Sequence, residues 1–145
     1  MRSILLATFL LAGCNFATVE SNVQTPDAQE TPEALAPSAR GVRVGEGGPG
    51  FAACQSQARV DGPQAGAGAV PMLDAPFDGA AMVVALPQGA ALRVCTRTID
   101  QRWLGVVVPR EGVDCGVDAR LDRPRTYAGP CASGWIAANA VRLTG

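Results

Sequence analysis

The chain has 145 residues, 48% of them hydrophobic, with 12 basic and 13 acidic side chains for a net charge of −1. Every basic residue is arginine and histidine is absent, which excludes Ser-His-Asp and Cys-His catalysis and any histidine-based metal site. The length is that of a single domain, and the near-neutral charge gives no electrostatic case for nucleic acid.

The first segment is an apolar run behind Arg2. Ile4 to Gly13 holds ten apolar or small residues, far short of the ~20 that a spanning helix needs but suited to the h-region of a signal peptide. It closes on Leu11-Ala12-Gly13-Cys14. This pattern resembles the lipobox of bacterial lipoproteins. The resemblance implies a signal peptide over 1–13, cleavage between Gly13 and Cys14, a diacylglycerol on the Cys14 sulfur and acylation of the new amino terminus. Acyl chains contribute ~0.8 kcal/mol per buried methylene, and two or more anchor stably. Asn15, where enteric lipoproteins retained at the inner membrane carry Asp, implies the outer membrane, facing the periplasm. A buried N-terminal helix and a cleaved, unlipidated secretory peptide are the alternatives.

Residues 14–50 read as a flexible, lipidated linker. Thr25-Pro26, Thr31-Pro32, Ala36-Pro37 and Gly45-Glu46-Gly47-Gly48-Pro49-Gly50 punctuate it, and five acids against two arginines leave a local charge of −3. So little apolar surface does not offset the entropy of ordering the chain. About 35 flexible residues span roughly 30–35 Å root-mean-square, enough to lift a small domain off a membrane.

Residues 51–145 carry a different texture. Short β-type runs are predicted at Ala58–Val60, Ala69–Leu73, Met82–Leu86, Ala91–Arg97, Arg102–Val108, Gly134–Ala137 and Val141–Leu143. Asp61-Gly62-Pro63, Asp78-Gly79, Pro87-Gln88-Gly89 and Pro109-Arg110-Glu111-Gly112 separate them. Many short strands at this spacing predict an all-β domain, a small barrel or sandwich, and no long 3.6-residue periodicity suggests a helical bundle.

The order of these runs resembles a bacterial SH3-like (SH3b) domain from about Ala69 to Leu143. Ala69-Val70-Pro71-Met72-Leu73-Asp74-Ala75-Pro76 and Met82-Val83-Val84-Ala85-Leu86-Pro87-Gln88-Gly89 look like its opening, with Leu92-Arg93-Val94-Cys95 as the next strand. Trp103-Leu104-Gly105-Val106-Val107 matches the tryptophan-led strand, Ser133-Gly134-Trp135-Ile136 the glycine-tryptophan strand, and Asn139-Ala140-Val141-Arg142-Leu143 the short turn and closing strand. The resemblance implies an SH3-like barrel that binds without catalysing. The chain departs from the family in two places. The exposed arginine of the first loop is missing, and Glu111 to Cys131 is inserted ahead of the glycine-tryptophan strand.

With Cys14 assigned to lipid, Cys54, Cys95, Cys115 and Cys131 remain. Outside the cytosol an even set reads as two disulfides. Three connectivities are open, and the one we expect is Cys115–Cys131 across the base of the insertion with Cys54–Cys95 fastening the N-terminal segment to the barrel. The first closes a separation of 16 residues, on the order of 3 kcal/mol in the chain-entropy picture. A zinc site built from all four cysteines competes with this reading but lacks a C-x2-C pair. No metal or cofactor is expected.

Candidate binding residues are the aromatics and a loop acid. Trp103 and Trp135 offer apolar faces with one donor each, although packing on the barrel accounts for both. Tyr127 beside Cys131, and Asp74 and Phe77 in the first long loop, complete the set. Asp114, Asp118 and Asp122 recur among Arg120, Arg123 and Arg125 without a calcium-loop spacing, and read as solvated ion pairs. The function expected is a membrane-anchored envelope module that is not an enzyme and grips cell-wall peptide or glycan, or a partner protein. A structural lipoprotein docked permanently in an envelope complex is the alternative, and an enzyme or enzyme inhibitor with an unrecognised site is the third class.

Overall fold

The computed structural model describes residues 39–62 and 68–145. The expected signal peptide over 1–13, the cleavage at Gly13, the lipidation of Cys14 and the linker up to residue 38 lie outside the described residues.

Among the described residues there are nine strands: β1 (Arg43–Val44), β2 (Ser56–Val60), β3 (Ala69–Leu73), β4 (Met82–Pro87), β5 (Ala91–Arg97), β6 (Trp103–Val107), β7 (Arg125–Thr126), β8 (Ser133–Ala137) and β9 (Val141–Leu143). A 3-10 turn, Ala138–Ala140, joins β8 to β9. Seven strands form one antiparallel sheet in the order β4-β3-β8-β6-β5-β2-β9, and β1 pairs with β7 in a separate ribbon. The fold is all-β, and each of the seven runs predicted from sequence is a strand.

The expected closed barrel is corrected. β4 and β9 are the ends of the sheet and do not pair with each other. The β3–β4 hairpin joins the remainder through a single register pair, Leu73 with Trp135, and is held chiefly by the side chains it buries. Val70, Met72 and Leu86 from that hairpin meet Ala58 and Val60 of β2, Leu92 and Val94 of β5, Leu104 and Val106 of β6, and Ile136 of β8 in one apolar cluster. Their period of two puts them on one face, and each large side chain so buried contributes about 1.5–3 kcal/mol.

The opposite face is covered as well, so all five residues of β6 are buried. Its cover is a strap, residues 39–54, together with the insertion. Residues 39–50 of the strap fall in the span assigned above to the linker, and they pack against the sheet. Val42 and Val44 are buried there at 1% and 3% exposure. Gly105 explains how a strap with so little apolar surface seats so closely. A Cβ at that position would lie 2.5 Å from Thr96 Cγ2 and 3.2 Å from Val42 Cγ1. Backbone hydrogen bonds do the rest: Arg40 N–H donates to Asp74 O, Gly45 N–H to Ala53 O and Tyr127 N–H to Val42 O, all within 2.7–2.8 Å.

Both disulfides belong to this cover. Cys54 is joined to Cys95 and Cys115 to Cys131, the expected pairing, which removes the thiolates a zinc site would need. Cys95 is the extra residue where the β5–β6 register shifts between Val94 and Thr96, and a bulge of this kind re-aims a side chain.

Candidate functional site

The gap between β3 and β8 is the concave feature that the topology produces. Asp74 N–H donates to Ala81 O, and Gln88 N–H to Gly68 O, so the even-numbered backbone groups of β3 point towards β4. Alternation turns those of Ala69, Pro71 and Leu73 towards β8. Among the described residues, Leu73 alone has a register partner there. Pro71 has no N–H to leave unpaired, which is why proline is tolerated on such an edge. Below Leu73 the two strands splay.

Two adjoining clefts of about 470 and 340 Å³ fill the splay and share Asp78, Trp103, Ala137 and Asn139. One wall is β3, the other the 3-10 turn. Trp103 is 7% exposed and packs with Val42, Leu73 and Trp135, so it floors the groove rather than standing proud of it. Asp78 and Arg102 lie on the rim as a loose pair at 3.9 Å, both well exposed. In that setting the pair adds little stability and both charges stay open to a ligand.

The turn from Thr98 to Trp103 sets the floor. Thr98 N–H donates to Trp103 O at 3.0 Å, and Trp103 N–H donates to Thr98 Oγ1 at 3.1 Å. Asp100 accepts from the Thr98 hydroxyl and from Arg102 N–H, and these bonds hold its carboxyl below its ordinary pKa, the hydroxyl most strongly. Gln101 takes a φ of 58°, a left-handed conformation uncommon outside glycine, at the groove rim. Ala138 N–H donates to Arg102 O at 2.8 Å and ties the far wall to this turn.

The sequence candidates divide among separate places. Trp103 lines the groove. Trp135 is not open to a ligand: it is 2% exposed, its Nε1–H donates to Arg40 O at 2.6 Å, and the Arg40 guanidinium stacks 5.4 Å from its ring. Tyr127 lies on the insertion, where its hydroxyl donates to Cys115 O at 3.0 Å and accepts Cys131 N–H at 3.3 Å. That hydroxyl closes a loop, and Tyr127 also lines a separate cleft of about 290 Å³ with Val44, Arg125 and Pro130. Asp74 is half-buried at the end of β3 with Oδ1 unpartnered, outside the groove lining. Phe77 is 44% exposed on the hairpin loop and also outside the lining. Arg102 and Asn139, which sequence reasoning did not single out, sit one residue before Trp103 and four after Trp135; adjacency to the two tryptophan motifs was their only signal.

The expected ion pairs in the insertion are redistributed. Asp118 pairs with Arg93 of β5, whose Nη2–H also donates to Cys54 O at 3.2 Å, and Asp114 Oδ1 accepts Gly116 N–H at 2.8 Å. Among the described residues no cluster of three or more histidine, cysteine or acidic side chains is placed to hold a metal ion. No family model, curated protein or solved structure matches this chain.

Proposed function

We propose that this chain is a lipid-anchored envelope protein whose SH3b-like domain binds short peptides of the cell wall in the β3–β8 groove, without catalysis. The observation that carries the reading is the inner edge of β3. Alternation from the bonds that Gly68 and Asp74 make with the β4 side turns the backbone groups of Ala69 and Pro71 towards the groove that both residues line, with an indole below and opposite charges on the rim. An extended peptide laid along this edge gains main-chain hydrogen bonds, while Trp103 supplies apolar contact. Asp78 and Arg102 suit its amine and carboxylate groups. The run of β8, a 3-10 turn and a closing β9 agrees with the SH3b resemblance, and the lipobox supports anchoring at Cys14 and an outer-membrane location facing the periplasm.

A second reading, a structural lipoprotein held in an envelope complex, is favoured by Phe77, Met82 and Val83. These three are 44–63% exposed on and beside the end strand β4.

Two measurements test the proposal. Mass spectrometry of the mature N-terminus is expected to find an acylated Cys14, and an unmodified Cys14 removes the anchor. Co-sedimentation with purified cell wall is expected to fall at least about fivefold in Asp78→Ala and Asn139→Ala, the size of losing one or two polar contacts of about 1 kcal/mol. Unchanged co-sedimentation in both variants removes the groove. Recovery of one stoichiometric protein after crosslinking through β4 favours the second reading.

A further inference from the structure

The loop from Arg120 to Arg125 reads Arg-Leu-Asp-Arg-Pro-Arg. Its residues enclose a shallow concavity of about 320 Å³. Arg120, Arg123 and Arg125 are all exposed, and among the described residues none of the three forms an ion pair. The acids that the sequence offers as partners are taken elsewhere: Asp118 lies against Arg93 and Asp114 caps Gly116. Asp122 is the one carboxylate left in the lining, so three arginines against one aspartate give the loop a net charge of +2.

The loop's backbone is fixed at several points, so its arginines project from a set frame. Arg125 is in register with Val44 in the β1–β7 ribbon, and Arg120 bridges to Ala52. Leu121 packs into the cluster that holds Cys115 and Cys131, whose disulfide closes the loop. Arginine is the side chain suited to such a place, because its planar fork meets two oxygens of a phosphate at once and never loses its charge. Three arginines lining one concavity match a tetrahedral oxyanion better than a single carboxylate. Fixing the backbone in advance reduces the ordering entropy lost on binding.

From this geometry we infer that the Arg120–Arg125 loop is a binding site for a phosphate group, on a part of the domain separate from the β3–β8 groove. The phosphate comes from a soluble phosphate compound or from the headgroups of an anionic membrane. Phosphate binding here does not depend on the proposed peptide binding, since the loop and the groove share no lining residue.

The test uses the full chain carrying Cys14→Ser, which cannot take an acyl anchor. Inorganic phosphate is titrated into isotope-labelled protein and compared with sodium chloride at matched ionic strength. Saturable shifts are expected at the amides of residues 120–126. Affinity is expected to fall about tenfold in Arg123→Gln, as loss of one charge-assisted contact implies. The shifts are expected to vanish in the triple variant R120Q/R123Q/R125Q, with both disulfides and both indole signals retained as evidence of folding. Sedimentation with phosphatidylglycerol against phosphatidylcholine vesicles separates the sources: selective binding to the former that the triple variant loses assigns a headgroup, and phosphate shifts without vesicle binding assign a soluble compound. Absence of saturable shifts with phosphate, or equal shifts in the triple variant, overturns the inference.

Discussion

The two faces of the central sheet are held by different physics. One is an aliphatic cluster drawn from β2, β3, β4, β5, β6 and β8, where close fitting of branched side chains supplies the stability. The other is a cover built from a strap and an insertion with small buried side chains, two disulfides, a glycine at the contact point and a few backbone hydrogen bonds. On the second face the sheet contributes Leu73, Trp103 and Trp135, while the strap and insertion bring only small buried side chains, with one disulfide tying the strap to β5 and the other closing the insertion. The contrast also bears on the groove. Trp103 belongs to the cover's cluster yet floors a cleft walled by β3, so the site lies where the two regimes meet.

Breaking each face separately tests that contrast. Ile136→Ala removes a fully buried side chain and is expected to cost about 2–5 kcal/mol. That loss appears as a lower denaturant midpoint shared by every probe. Replacing Cys54 and Cys95 together by alanine is expected to cost about 2–4 kcal/mol. Here amide exchange accelerates in residues 39–54 ahead of the core strands, whereas uniform acceleration contradicts a separately held cover. Gly105→Ala forces a Cβ against Thr96 Cγ2 and Val42 and is expected to cost about 1–3 kcal/mol, with exchange rising at Val42 and Val44.

The smallest effect is a pH dependence at the groove. Hydrogen bonds from Thr98 and from Arg102 N–H lower the folded pKa of Asp100 from its ordinary 3.8, so the carboxylate favours the folded turn above that ordinary value. That contribution is lost as pH falls through the lowered value. Acid titration followed by the Trp103 indole signal is expected to show a transition below the ordinary aspartate range, and Asp100→Asn is expected to abolish it.

Legibility in the sequence follows the same division. The first face was readable because Val70, Met72, Leu92, Val94, Leu104 and Val106 alternate inside runs bounded by turn residues. Ala69–Leu73, Ala91–Arg97 and Val141–Leu143 are strands at the predicted bounds. β1 and β7 were not readable, because two-residue strands carry no period and Arg43–Val44 lies in glycine-rich sequence resembling a tether. What orders that stretch is distant: the missing Cβ of Gly105, the carbonyl of Asp74 and the indole of Trp135. The disulfide pairing was expected from the need to pin an insertion, while the bulge that aims Cys95 was not visible. Trp103 was named as a site residue, but the groove needs the splay between β3 and β8, a tertiary feature without a local signature.

The two indoles give the most direct test of peptide binding in the groove, because one floors it and the other is sealed beneath Arg40. Short cell-wall stem peptides are titrated into the isotope-labelled protein while both indole N–H signals are followed. A saturable shift of Trp103 with Trp135 unmoved is expected. A stationary Trp103, or a shift of Trp135 alone, contradicts binding at this site.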